Sequence, residues 1–327
     1  MSEERHSQFE TMHLHHDHEH SGPPAHRERT GYHVAQINIA TLIAATDDDL
    51  VAEFMGNLDR INAIADSAPG FVWRLKTDEG NATSIKLFEN PLEIVNMSVW
   101  TSLDALRDYV FNSPHRAFVQ RRAEWFVPGS TRTALWFVPE GTIPDVHDGI
   151  GRAQFMAEHG PSPYAFSFAR PQRPFVIEET TLDDDETQLL VARLNLELTE
   201  LADDPSENHF TLDNDEITGD NGRMIKARYD DYAIGCGAIR RIGPTVGELK
   251  RMYVEDEVRG FKIGAAILFH LEGIARQLGL TEIKLETGPR QEAANALYQH
   301  FGYERCEPWG EYIETAATSL CYRKVLP

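Results

Sequence analysis

The sequence predicts an α+β chain built as two domains. Three observations carry the prediction. With 327 residues the chain is long for one hydrophobic core and comfortable for two. From Tyr32 onward, segments of strand period alternate with segments of helical period. Between residues 139 and 173 the composition turns rich in proline and glycine, PEGTIPDVHDG and later PSPYAFSFARPQRP, which marks a connection between two such sets.

A net charge of -21 argues against a nucleic-acid partner, because a phosphate backbone needs a concentrated basic face and none is visible. Cys236, Cys306 and Cys321 are odd in number and lack paired spacing. No apolar run reaches the roughly 18 residues of a membrane span, and no secretory signal is visible. The expectation is a protein of the reducing cytoplasm with no membrane partner.

Residues 1–31 hold half of the fourteen histidines. They carry too few apolar residues to offset the entropy of ordering, so a disordered tail is expected. His13, His15, His16, His18 and His20 are interleaved with Asp17 and Glu19. Such a run either holds zinc, nickel or copper adventitiously or is simply a solvated tail.

Residues 32–170 read as the first domain. HVAQINIA is a strand; Leu50, Phe54, Leu58, Ile61 and Ala65 repeat at helical spacing; FVWRL and EIVNMSVW are strands. SLDALRDYVF, with Ser102 as its N-cap, and HRAFVQRRAEWF are helices, and TRTALWFVP is a fourth strand. Strand, helix, strand, strand, helix, strand is the order of a ferredoxin-like unit. With VWTSLDALRDYVFNSPHRAFVQRRAEWF and the tryptophan-bearing last strand, this region resembles the dimeric α+β-barrel superfamily, which contains the antibiotic-biosynthesis monooxygenases and uncharacterised relatives. That resemblance implies a homodimer in which a second copy covers an apolar sheet face. His115 and Arg116 either line a pocket with Trp125 and Trp136 or form a cap and surface pair. GRAQFMAEHG in the connection reads as a helix that packs back on the first domain.

Residues 171–327 form the second domain, with the joint near Pro171 to Pro174. FVIEETT is a strand, and a helix from about Asp184 carries Leu190, Leu194, Leu198 and Leu201 on one stripe. GRMIKARYD and YAIGCGAIRRI pair around Asp230-Asp231. IKLETG is a strand, PRQEAANALYQHFG a helix, and LCYRKVL a closing strand.

Between them lies the stretch from Gly247 to Gly264, a strand that enters the helix AAILFHLEGIARQLGL through a short basic, glycine-bearing loop. Amides at a helix start have no internal partners, and with the positive end of the helix dipole they form an anion site. Arg259, Gly260 and Gly264 resemble the pyrophosphate-binding motif of the GNAT acetyltransferase family, with Lys262 where the family usually has another glycine. Either Lys262 has ordinary φ or the cofactor is held more loosely. GCGAIR, ELKRMYV, LETGPRQ with ALYQHFGY, and PWGEY before SLCYRK extend the resemblance over about residues 174–327.

The resemblance implies acetyl-CoA as cosubstrate. Arg259, Gly260, Lys262, Gly264 and Ala265 would hold its pyrophosphate, Met252 and Val254 would pair with its pantetheine through backbone groups, and Asn295 would contact the pantetheine arm. Glu248 stands where several members carry a general base; the alternative is a carboxylate paired with Lys250 or Arg251. Tyr298 stands where the family has its general acid, and a core tyrosine is the alternative. Trp309 and Tyr312 sit in the loop that would close the acceptor site, beside Glu311, and Arg240, Arg251 and Arg290 either read a substrate carboxylate or are surface charges.

The expected activity is transfer of an acetyl group from acetyl-CoA to a small-molecule amine by direct attack in a ternary complex. Two other classes stay open: a non-catalytic acyl-CoA or metal sensor, and a bifunctional chain whose first domain is a monooxygenase.

Overall fold

The computed structural model describes residues 31–77, 80, 82–83, 85, 87–201 and 212–326. The histidines of residues 13–20 lie outside them. Alternating side chains sort the first sheet, made of β1 (Tyr32–Thr41), β2 (Phe71–Arg74), β3 (Glu93–Trp100) and β4 (Arg132–Pro139) in the antiparallel order β2-β3-β1-β4. Ala35, Ile37 and Ile39 share one face with Val95, Met97, Val99, Ala134, Trp136 and Val138, all buried. The other face packs Val34, Trp100 and Leu135 against α2 (Leu103–Asn112), whose N-cap Ser102 accepts from the Ala105 amide at 3.1 Å. Polar side chains fill its centre, where Gln36 Nε2 donates to Asn96 at 2.7 Å and to Ser98 at 3.0 Å. The helix α1 (Ala52–Asp66) runs over the same side, with Ala65 beside Trp100.

The apolar face is covered within the chain. The connection folds into α4 (Val146–His159), started by Asp145, which accepts from the His147 amide at 2.7 Å. Gly149 of α4 lies so close to the sheet that a Cβ would stand 2.9 Å from Met97 Sδ and 3.0 Å from Ile37 Cδ1. The homodimer expected from the resemblance would need this face open, and α4 occupies it. The pocket that was one alternative for His115 and Arg116 also separates. Trp136 is on the α4 side, Trp125 packs with Phe54 and Phe118, and His115, at the start of α3 (His115–Arg121), stacks on Tyr109 at 4.7 Å while Arg116 is exposed.

The second sheet has the order β10-β11-β9-β8-β7-β6-β5. Its strands are β5 (Phe175–Thr180), β6 (Gly222–Tyr229), β7 (Tyr232–Arg241), β8 (Val246–Val254), β9 (Glu282–Thr287), β10 (Glu304–Arg305) and β11 (Leu320–Val325). Only β8 and β9 pair in parallel. On one side lies α5 (Asp185–Leu201), whose Leu190 and Leu194 pack on Met224, Cys236 and Tyr253. The apolar helix α6 (Ile263–Gln277) covers the opposite side, and α7 (Glu292–His300) follows β9. Phe155 of α4 meets Phe269 of α6 edge to face at 5.4 Å. One apolar core therefore runs from the first sheet through α4 and α6 into the second.

Candidate active site

The site begins with a defect in β8. Pairing with β7 runs Cys236↔Tyr253 and then Ala238↔Lys250, so β8 carries one extra residue. Arg251 absorbs it at φ 59°, and its guanidinium is anchored on Asn195 of α5 at 2.8 Å. A bulge bends and twists the strand that carries it. On the other side β8 pairs with β9 only from Val246↔Glu282 to Leu249↔Leu285, and from Lys250 the two strands part. The main chain of residues 250–254 thus has an edge in the interior of the molecule, and Met252 and Val254 lie on it.

That edge leads to the loop before α6. Residues 256–258 form a 3-10 turn, Gly260 takes φ 88°, and Lys262 caps α6 with φ 63° and ψ 20°. The ordinary φ that the sequence left as one alternative for Lys262 is not adopted; its backbone is left-handed. The amides of Ile263, Gly264 and Ala265 are the first of α6 and have no acceptor within it. The two cations expected to reinforce the anion site are engaged elsewhere. Arg259 donates to Glu197 of α5 at 2.7 Å and to the Val254 carbonyl at 3.0 Å, and pairs with Asp256 at 2.7 Å. Lys262 Nζ donates to the His159 carbonyl. What the loop offers an anion is therefore the backbone amides and the helix dipole, not these two side chains.

Glu248 is fully buried, accepting from Arg240 Nε at 2.6 Å and from the Tyr312 hydroxyl at 2.6 Å. Its partner is Arg240, directly opposite in the β7-β8 register, and not Lys250 or Arg251. Arg240 also meets Glu216 at 2.7 Å and Glu311 at 3.5 Å, which removes it as a free reader of a substrate carboxylate. Lys250 Nζ donates to the Tyr312 hydroxyl at 2.9 Å and to Glu311 at 3.3 Å. The cluster of Glu216, Arg240, Glu248, Lys250, Glu311 and Tyr312 was not assembled by sequence reasoning. Its detectable signal was the short turn after Arg241, since counting back from a hairpin sets Arg240 against Glu248.

The Tyr298 ring is buried, packed against Tyr303 at 5.8 Å and Tyr322 at 6.4 Å. Burial, with a smaller contribution from Glu286, holds its hydroxyl above the ordinary tyrosine range. Asn295 is otherwise occupied: both amide protons bond carbonyls, of Gly288 at 3.0 Å and Gln291 at 2.8 Å, and its oxygen accepts from Tyr322 at 2.9 Å. It braces the start of α7, which leaves no amide proton for a pantetheine arm. Trp309 stacks edge-on against Tyr312 at 5.1 Å, and Tyr312 itself is buried. Among the described residues no group of three or more His, Cys, Asp or Glu could hold a metal, and no helix is long and apolar enough to cross a membrane.

Residues 33–181 match a family described as a domain of unknown function, DUF3291, and residues 182–303 match the acetyltransferase (GNAT) family. The chain is 35% identical over 138 residues to an IAA acetyltransferase of Azospirillum brasilense, spanning 42% of this chain and 88% of that one. It is 28% identical over 123 residues to the uncharacterized N-acetyltransferase YsnE of Bacillus subtilis (strain 168), spanning 37% and 82%. The structure of a PaiA N-acetyltransferase from Thermoplasma acidophilum, in complex with coenzyme A, is 18% identical and covers 46% of this chain and 99% of its own, with a TM-score of 0.37. With more than a third of positions shared across most of a curated relative, in the half that carries the bulged strand and the α6 loop, the chain belongs to the GNAT N-acetyltransferase family.

Proposed function

We propose that this protein transfers an acetyl group from acetyl-CoA to the amine of a small molecule, by direct attack within a ternary complex. The observation that carries the reading is the parting of β8 from β9 at Lys250, which opens onto the first amides of α6. A thioester cofactor has two features that such a place suits. Its pyrophosphate accepts from helix-start amides, and its amide-bearing arm pairs like an added strand alongside β8 beyond Leu249, where β9 no longer pairs with it.

Chemistry needs a proton taken from the amine and a donor for the departing sulfur. The amine nitrogen attacks the thioester carbonyl, and the carbon–sulfur bond breaks as the tetrahedral centre collapses. Glu248 takes the amine proton through Tyr312, whose hydroxyl already bonds it. Glu216, Glu248 and Glu311 face Arg240 and Lys250, so three carboxylates against two cations leave one negative charge before proton uptake and none after it. Tyr298 donates a hydrogen bond to the sulfur; with its hydroxyl held above the ordinary range it stabilises the thiolate more readily than it surrenders its proton.

Thiol release from acetyl-CoA against a panel of small amines tests the reading. Amine-dependent release is the expected result. Coenzyme A binding without amine-dependent turnover would favour the second reading, an acyl-CoA-binding protein without catalysis, which the buried and paired state of Glu248 also suits.

A further inference from the structure

Lys262 stands in the α6 loop in a backbone conformation that favours glycine, at φ 63°. Its side chain leaves the loop. Nζ donates to the carbonyl of His159 and reaches that of Pro161 at 3.5 Å, 103 and 101 residues away in the chain. The His159 carbonyl lies at the C-terminal end of α4, where the helix dipole concentrates negative charge and carbonyls lack internal partners. That end is itself fixed on the second half of the molecule. The His159 ring stacks on Phe301 at 4.8 Å and 14°, 5.6 Å from His300 at the end of α7. Gly160, at φ 74°, leaves the ammonium room, since a Cβ there would stand 3.4 Å from Lys262 Nζ.

We infer that the C-terminal end of α4 is the outer support of the coenzyme cradle, and that Lys262 is a positioning residue rather than a phosphate ligand. By holding the ammonium, α4 keeps Lys262 in the left-handed backbone that a glycine would adopt unaided, and so keeps the following α6 amides turned toward one anion. The segment of the domain of unknown function thereby takes part in cofactor binding, and the linkage is reciprocal: coenzyme A tightens the docking of α4, and displacement of α4 loosens coenzyme A. The inference rests on the reading that this loop receives the pyrophosphate.

The test is coenzyme A affinity of the full chain by calorimetry, in five variants. Lys262→Ala loses the tether and keeps the disfavoured backbone, so affinity should fall about five- to thirtyfold. Lys262→Gly loses the same charge but takes positive φ freely, and should stay within about threefold of the parent. Gly160→Ala, strained at φ 74° and placing its Cβ 3.4 Å from the ammonium, should weaken binding in the parent and cost less in the Lys262→Gly background, where the tether is already gone. Equal losses in Lys262→Ala and Lys262→Gly would mean that the ammonium binds phosphate, and would overturn the inference; so would parent-like affinity in Lys262→Ala. The Gly160→Ala cycle keeps the question open to decision if Lys262→Ala misfolds. Unchanged affinity in Gly264→Glu would remove the cradle itself, and this inference with it.

Discussion

β1 is an inner strand of the first sheet and β8 the central strand of the second, and they end differently. β1 pairs on both sides along nearly its whole length, with β3 from Val34 to Thr41 and with β4 from Tyr32 to Ile39, in unbroken register. β8 is paired on both sides only to Leu249, then bulges at Arg251 and parts from β9. A strand whose hydrogen bonds are all made is a scaffold. A strand that loses one neighbour in the interior leaves room for another, and here β8 runs on into the loop before a helix start.

The largest effect should come from breaking the end of β8's path. Gly264 has ordinary φ, and a Cβ there would meet Leu297 and Val254 at 3.5 and 3.7 Å, so a side chain fits. Gly264→Glu should therefore fold, but its carboxylate at the first turn of α6 should weaken coenzyme A binding at least about a hundredfold, read by calorimetry. Glu248→Gln should lower turnover by an order of magnitude or more, within the about 10²- to 10⁴-fold that general base help is worth, while coenzyme A affinity holds. Tyr298→Phe should lower turnover too, with affinity again held, because the ring still packs.

The matching change in β1 should act on stability alone. Ile37 is fully buried against α4; Ile37→Ala should cost about 2–5 kcal/mol in urea unfolding and leave coenzyme A affinity unaltered at temperatures where the chain is folded. A smaller effect concerns acid. His270 of α6 faces Tyr164 edge-on at 6.4 Å, and burial, opposed by Asp148 and aided by Arg152, pulls it from 6.5 to about 4. A histidine lowered on folding contributes fully above its unfolded value and loses that contribution as pH falls from 6.5 toward 4. The loss should reach about 2 kcal/mol by pH 5, and His270→Leu should flatten the decline of unfolding midpoint between pH 7 and pH 5.

The comparison also separates what the sequence could and could not say. The alternation of Ala35, Ile37 and Ile39 made β1 legible, as the Leu190 and Leu194 stripe did α5 and the loop from Glu255 to Lys262 the join of β8 to α6, because each rests on neighbours in sequence. The bulge was not legible: Arg251 occupies a position with φ 59°, where a glycine would have signalled the conformation. Arg240 could be matched to Glu248 only by carrying the hairpin register across its turn. The partner of Lys262 lies 103 residues upstream, beyond the reach of any local pattern. That a helix of the connection packs back on the first domain was legible, but its closeness to the sheet depends on the small size of Gly149, which reads as an ordinary helix glycine until the sheet is placed beneath it.

Amide hydrogen exchange with and without coenzyme A tests the central claim most directly, since it reads the stretch of β8 that β9 leaves. With coenzyme A bound, exchange should slow at residues 250–254 of β8 and at Ile263, Gly264 and Ala265, while the amides of β1 keep their rates. Calorimetrically confirmed binding that left both of those segments unchanged would contradict the account.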